Sequence, residues 1–343
     1  MNDIIIIIRD YNENLAKRQP WYTIKFLIMA LKIRGYRVSV APSIREVPMG
    51  FSGIVVKTLS LSDLLWSGGA ENQSFRLYYL ATFPLYRIRD FWRAGFAAVF
   101  RNFGDLWRLL IGATVPRFWV ERHLQKSQGV IFLSDVRYRQ YRGDNGYLMI
   151  PFIKGNWGQA SLEMSGRKYV KYVYVGPPFE TRGIDLVARF ALESGTKNLR
   201  LLVRQERPEL KDRFRPYAKA FRRAEVVEGM LSRNELFTQL AQCEMALLPF
   251  RLVMAECPIV VLEAIELGLQ VITTEECGFA SFPFFPGSVV LPGSTLRHAV
   301  EKFKVTYGAD RADADSFFGA IEASNSDFFD SVFPVLPAEP PRG

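Results

Sequence analysis

The stretch CEMALLPFRLVMAECPIVVLEAIELGLQVITT, residues 243–274, leaves few folds open to this chain. Met245 to Pro249 is a short apolar run closed by a proline, the pattern of a buried strand. Arg251 to Cys257 follows as a loop, and Pro258 stands where a first helical turn favours proline. Ile259 to Leu267 repeats apolar residues at helical spacing, Gly268 marks the stop, and Leu269 to Thr273 forms a second buried strand. A strand, helix and strand of these lengths require a parallel crossover. In open parallel sheets, ligands bind beyond the carboxyl ends of the strands, beside helix N-termini. Here that place is the loop carrying Glu256, with Glu263 on the helix behind it. The two are spaced by about two helical turns. If the helix reaches back to Glu256, both carboxylates face one crevice.

Around this unit the same grammar runs in both directions. Asp3 to Arg9 reads as a fully buried strand, Trp21 to Ile33 as a helix stopped by Gly35, and Tyr36 to Ala41 and Gly53 to Leu59 as strands. The loop at Asp10 to Pro20 has no glycine, which removes a glycine-rich phosphate cradle there. Strands are expected near Leu77 to Thr82, at Gly129 to Ser134 and at Tyr147 to Phe152, with two or three helices between the first two. Residues 154–168 are rich in Gly, Ser and polar side chains and read as a linker between domains 1–153 and 169–314. The second half repeats the alternation: strands at Tyr169 to Val175, Leu199 to Val203, Ala224 to Val227 and Ser288 to Leu291; helices at Ile184 to Glu193, Pro208 to Arg222, Arg233 to Ala241 and Leu296 to Tyr307. A closing helix is expected at Ser316 to Phe333, within 315–333, and a disordered proline-rich tail at 334–343. The expected fold class is α/β, with two Rossmann-like, doubly wound domains.

The chain has 343 residues, 49% of them hydrophobic, enough for two cores. Its formal net charge of +9 points to an anionic partner: phosphate, nucleic acid or lipid headgroups. Three cysteines without a pairing framework fit a reducing, cytoplasmic setting. The apolar run Ile4 to Ile8 is too short to span a bilayer. The two histidines and three cysteines have no metal-ligand spacing, so neither a metal nor a cofactor is expected.

The ordered set YVGPPFETRGIDL, EGMLSRNELF, ALLPF and ECPIVVLEAIELGLQVITT resembles the C-terminal domain of retaining nucleotide-sugar glycosyltransferases of family 4 (group 1). The resemblance is clear from Tyr169 to Thr274 and weaker in the first half, where LKIRGYRVSV, GVIFLSDVRYRQY and the PFIKGNW linker carry it. It implies the GT-B architecture, two Rossmann-like domains facing across a cleft. It implies a donor site in which Arg182-Gly183 stands for the family's Lys-Gly, the guanidinium meeting the diphosphate. Glu263-Ala264 matches the pair whose carboxylate holds the ribose hydroxyls, and Glu256 takes the catalytic position against the donor sugar. Pro258, Ile259 and Val260 open the helix whose N–H groups meet the diphosphate.

The chain also departs from the pattern. Pro177 follows Gly176 where the family has a second cation, which Arg204 or Arg207 can replace, and one residue fewer separates Glu256 from Glu263. The family histidine has no counterpart; His123 lies in a basic helix. A retaining transfer can use the leaving diphosphate as base, with preorganised positive charge as the main aid. Two functions therefore stand side by side: transfer of a sugar from a nucleotide-sugar onto a glycan or lipid-linked acceptor, or a catalytically silent relative that binds a partner or glycan.

Residues 75–126 interleave aromatics such as Phe91, Trp92, Phe118 and Trp119 with arginines such as Arg93, Arg117 and Arg122. Three readings apply: core filling, an anionic membrane surface at the cytoplasmic face, or a base-stacking platform. No nucleic-acid module is recognisable, so the last ranks lowest and no nucleic-acid partner is expected.

Overall fold

The computed structural model describes residues 3–8, 21–59, 74–81, 117–152, 169–203, 214–229, 231–251, 258–291, 293–306 and 311–337. Two six-stranded sheets, every neighbouring pair parallel, form its frame. The first contains β1 (Asp3–Ile7), β2 (Arg37–Ala41), β3 (Ile54–Thr58), β4 (Arg76–Ala81), β5 (Gly129–Phe132) and β6 (Gly146–Leu148), in the order β2-β1-β3-β4-β5-β6. The second contains β7 (Val170–Gly176), β8 (Leu199–Val203), β9 (Glu225–Glu228), β10 (Cys243–Leu248), β11 (Gln270–Thr274) and β12 (Ser288–Val290), in the order β12-β11-β10-β7-β8-β9. The α-helices among the described residues are α1 (Trp21–Ile33), α2 (Arg117–Gln125), α3 (Asp135–Gln140), α4 (Ile184–Ser194), α5 (Arg233–Ala241), α6 (Ile259–Glu266), α7 (Leu296–Thr306) and α8 (Arg311–Val332).

The isoleucine run explains the first sheet. Alternate side chains of β1 enter different cores: Ile4 and Ile6 on one face, Ile5 and Ile7 on the other. In the second sheet β10 does the same, with Ala246 and Leu248 on one side and Met245 and Leu247 on the other. Strands buried on both faces need helices on both faces, which the parallel crossovers supply. Local chemistry sets the helix ends. Ser232 and Glu235 form a reciprocal capping box at the start of α5, while Gly35, Gly195 and Gly268 take positive φ after α1, α4 and α6.

In each sheet the strand order reverses once, between β1 and β3 and between β7 and β10. At each reversal the chain leaves the carboxyl ends of the two strands toward opposite sides, the place where open parallel sheets bind their ligands.

One core cluster runs through both sheets. Its bridge is α8 and the chain just after it. Phe318 stacks on Phe152 with centroids 4.6 Å apart, Phe328 meets Tyr147, Phe329 meets Phe26, and Phe333 meets Tyr36 and Tyr78. Phe317 receives Phe279, Phe282 and Phe285 from the segment between β11 and β12. Asn325, buried on α8, acts as a strand partner for Ile150: it donates to the carbonyl and accepts from the N–H, both at 2.8 Å.

Three expectations change. The helix expected at Pro208 to Arg222 does not reach its expected end: Phe214 is still helical, but residues 215–217 make a 3-10 turn that contains Pro216 and turns follow; residues 204–213 lie outside the described residues. The closing helix starts earlier, at Arg311. The tail is ordered over 334–337, where Leu336 N–H donates to Arg34 O and Tyr36 OH to Pro334 O, each at 3.1 Å; residues 338–343 and the expected linker 154–168 lie outside the described residues. No helix among the described residues is long and apolar enough to cross a membrane.

Candidate functional site

The reversal between β7 and β10 brings two loops together. The first leaves β7 at Gly176, whose φ of 148° turns the chain into Pro177-Pro178. Tyr174 OH donates to Pro177 O at 2.8 Å and fixes this exit; complete burial raises the pKa of its phenol. A 3-10 turn over Glu180–Arg182 follows, and Gly183 at φ 80° redirects the chain into α4. Gly183 is doubly constrained. Its φ favours glycine, and a Cβ there would stand 2.0 Å from Pro249 O in the second loop. The two loops are therefore in backbone contact at this point.

The second loop leaves β10 at Leu248. It is held on several sides: Thr273 Oγ1 donates to Leu248 O at 2.9 Å, Thr274 Oγ1 donates to Phe250 O, and Arg251 N–H donates to Thr181 O at 3.0 Å. The Arg251 guanidinium closes on Asp185, in the first turn of α4, through Nη2 and through Nε at 3.3 Å. Arg182 lies over the Phe250 ring with Cζ 5.5 Å from the centroid. Two guanidinium groups, Arg182 and Arg251, thus belong to adjoining loops at the carboxyl edge of the sheet. From the far side Tyr217 OH donates to Glu180 Oε1 at 2.7 Å, which ties the segment after β8 to the same turn.

Pro258 caps α6 with ψ 94°, outside helical geometry. The helix therefore starts at Ile259, beyond Glu256. The two-turn spacing that would align Glu256 and Glu263 on one helical face does not apply, because the proline cap separates them. Val261 N–H donates to Pro258 O at 2.9 Å, while Ile259 and Val260 occupy the first positions of the helix, where no intrahelical acceptor exists. Glu263 sits on α6 with 8% exposure, among the buried residues Val261, Leu262, Ala264 and Ile265.

Of the residues singled out by sequence, Arg182, Gly183, Pro258, Ile259, Val260 and Glu263 fall on these loops and on α6. Glu256 and Arg204 lie outside the described residues. Phe250, Arg251 and Asp185 had no local signal: Arg251 and Asp185 are 66 residues apart, and only the β7–β10 pairing makes them neighbours. Among the described residues no group of three His, Cys, Asp or Glu side chains has metal-binding geometry. His123, on α2, hydrogen-bonds Tyr79 OH at 3.1 Å beside β4, in the first sheet and away from these loops. The two halves also meet at a polar point, where Ser281 Oγ donates to Oδ2 of the buried Asp135 at 3.0 Å.

No protein-family model matches the chain, and no curated protein is significantly similar to it in sequence. Solved structures match along nearly all of it. Sucrose-phosphate synthase from Thermosynechococcus elongatus superposes with a TM-score of 0.62 at 13% identity, over 96% of this chain and 95% of that one. A glycosyltransferase from Rickettsia africae ESF-5 gives 0.62 at 10% identity, over 96% and 98%. Anabaena HepE, solved in complex with UDP and glucose, gives 0.59 at 12% identity, over 97% and 99%. The chain is built on the GT-B glycosyltransferase fold, two parallel sheets flanked by helices.

Proposed function

We propose that this protein is a nucleotide-sugar-dependent glycosyltransferase that transfers its sugar with retention to a glycan or lipid-linked acceptor at the cytoplasmic face of a membrane. The observation that carries the reading is the junction of the post-β7 and post-β10 loops, with Arg182 and Arg251 on it and α6 starting beside it. A nucleoside diphosphate needs such a place: fixed cations and helix N–H groups at the carboxyl edge of a parallel sheet. In this reading the second half binds the donor. Arg182 and the N–H groups of Ile259 and Val260 meet the diphosphate, and Glu263 accepts the ribose hydroxyls. Glu256 meets the donor sugar. The leaving diphosphate removes the acceptor proton, so the protein's task is to hold positive charge on it and exclude water. That HepE is solved with UDP and glucose makes uridine the first base to test.

The test is a melting-temperature panel with UDP, GDP, ADP, TDP and CMP, repeated on Glu263→Ala. Ligand that binds the native state raises the melting temperature by mass action. A shift with one nucleotide, lost in Glu263→Ala, is the expected result. No shift with any nucleotide would instead favour a catalytically silent, partner-binding protein.

A further inference from the structure

Helix α2 divides its residues sharply. Val120 and Leu124 are buried against the first sheet. Glu121 and His123 are half-buried on the flanks, His123 against Tyr79 and Glu121 beside Tyr141. On the remaining face Phe118, Arg122 and Gln125 follow the i, i+4 and i+7 spacing of one helical side, Trp119 adjoins them three residues before Arg122, and Lys126 continues the face just past the helix end; all are exposed. Phe118 is 64% and Trp119 62% exposed, with ring centroids 5.8 Å apart. The face therefore offers two large aromatics and two cations with no carboxylate among them. Two large aromatics exposed side by side mark an interaction surface, and the lysine beside them is of a kind depleted at protein interfaces. One environment satisfies both, the boundary of an anionic bilayer, where aromatic rings enter the headgroup region and cations meet the phosphates.

We propose that the Phe118–Trp119 face of α2 docks this protein on an anionic lipid surface. A second copy of the chain fits less well, since a two-fold contact through this face sets Arg122 and Lys126 against themselves. A nucleic acid fits less well because stacking platforms lie in basic grooves, and this is the outer face of a helix. The position matters for function. Helix α2 leads into β5 and runs against the strands, so its N-terminal end, with Phe118 and Trp119, lies at the carboxyl edge of the first sheet. Ser134 and Asp135 leave β5 at the same edge, where Asp135 meets Ser281 of the second half. A docked α2 thus brings the edge that faces the second half toward the lipid. The consequence, an acceptor carried by the membrane, rests on the glycosyltransferase reading; the docking itself does not.

The test is co-sedimentation of the full chain with phosphatidylcholine vesicles and with vesicles containing phosphatidylglycerol, at low and moderate salt, for the wild type, Phe118→Ser/Trp119→Ser and Arg122→Glu/Lys126→Glu. The wild type is expected to partition onto the anionic vesicles, less so as salt rises. The aromatic double variant is expected to lose about tenfold in partitioning, and the charge-reversed variant at least as much. All of these residues are exposed, so melting temperatures stay near the wild-type value. Partitioning unchanged in the aromatic variant overturns the proposal. So does capture by a single-stranded oligonucleotide in place of vesicles, or a smaller oligomer in the variant. Nucleotide-induced melting shifts, measured on the same proteins, report the donor site separately: vesicle binding without a shift would sink the enzyme reading alone, and a shift without vesicle binding would sink the docking alone.

Discussion

Arg251 closes on Asp185 across the two loops that meet at the strand-order reversal, and its own backbone N–H is bonded to Thr181 O in the same turn as Arg182. The pair is partly exposed, 28% for Arg251 and 24% for Asp185, so its share of folding stability is small, about 0.2–1 kcal/mol. Its effect lies in position: it sets the start of the segment that runs on through Glu256 to α6. Arg251→Met and Asp185→Asn are each expected to weaken nucleotide binding about tenfold while the melting temperature barely moves. The double variant should be little worse than either single one, since the partners act as a unit. Nucleotide titration of the four proteins checks this; additive losses, or none, would show that the pair does not position the loop.

Gly183 and Gly195 flank α4, both with positive φ, yet they differ in surroundings. A Cβ at Gly183 would stand 2.0 Å from Pro249 O; at Gly195 it meets nothing within 4 Å. Gly195→Ala is expected to cost about 1 kcal/mol, the left-handed penalty alone. Gly183→Ala adds a backbone clash that a side chain cannot relieve, and is expected to cost about 3 kcal/mol or more. Denaturant midpoints of the two variants, measured together, separate conformation from contact.

Asn325 is expected to be intolerant of shortening. Asn325→Ala leaves the N–H and carbonyl of Ile150 without their partner at the seam between the first sheet and α8. The expected loss is about 2 kcal/mol or more, the cost of stranding buried backbone groups. Asn325→Asp keeps the acceptor but loses the donor, and buries a charge. It should be no better than alanine, and equilibrium unfolding decides the order.

Burial pushes the Cys277 thiol from 9.0 up to about 11. Between those values the folded protein keeps a proton that the unfolded chain releases, so stability falls as pH rises through the window, by about 1.4 kcal/mol per pH unit. Below it the term vanishes. In Cys277→Ala this part of the alkaline loss is expected to disappear while other titrating groups contribute as before. Unfolding midpoints of both proteins, followed through that window, give the difference directly; parallel curves would contradict it.

Much of the frame is legible in the sequence because it is written in local pattern. The run at Ile4 to Ile7, buried on both faces, can only be a strand inside a sheet covered on both sides. Pro258 and Gly268 bracket α6 as their backbone preferences require, and Ser232 with Glu235 announces α5. The twelve strands follow this punctuation, and the parallel crossovers between them leave little choice of architecture. The sequence failed where local signals conflict, as at 215–222, where a helix-like run carries Pro216.

What only the tertiary structure decided is which distant residues meet. That Gly183 must be glycine follows from Pro249 O, which β7–β10 pairing brings to it. Arg251 meets Asp185, and Asn325 replaces a strand partner for Ile150, over separations at which sequence carries no period. Phe118 and Trp119 read equally well as core or as surface in an aromatic-rich stretch; their exposure depended on which side of α2 packed on the first sheet. Short-range spacing fixes helices and strands because it acts through the backbone of neighbouring residues. A binding site is assembled from loops at the sheet edge, and strand order, which is a property of the whole chain, determines which loops those are.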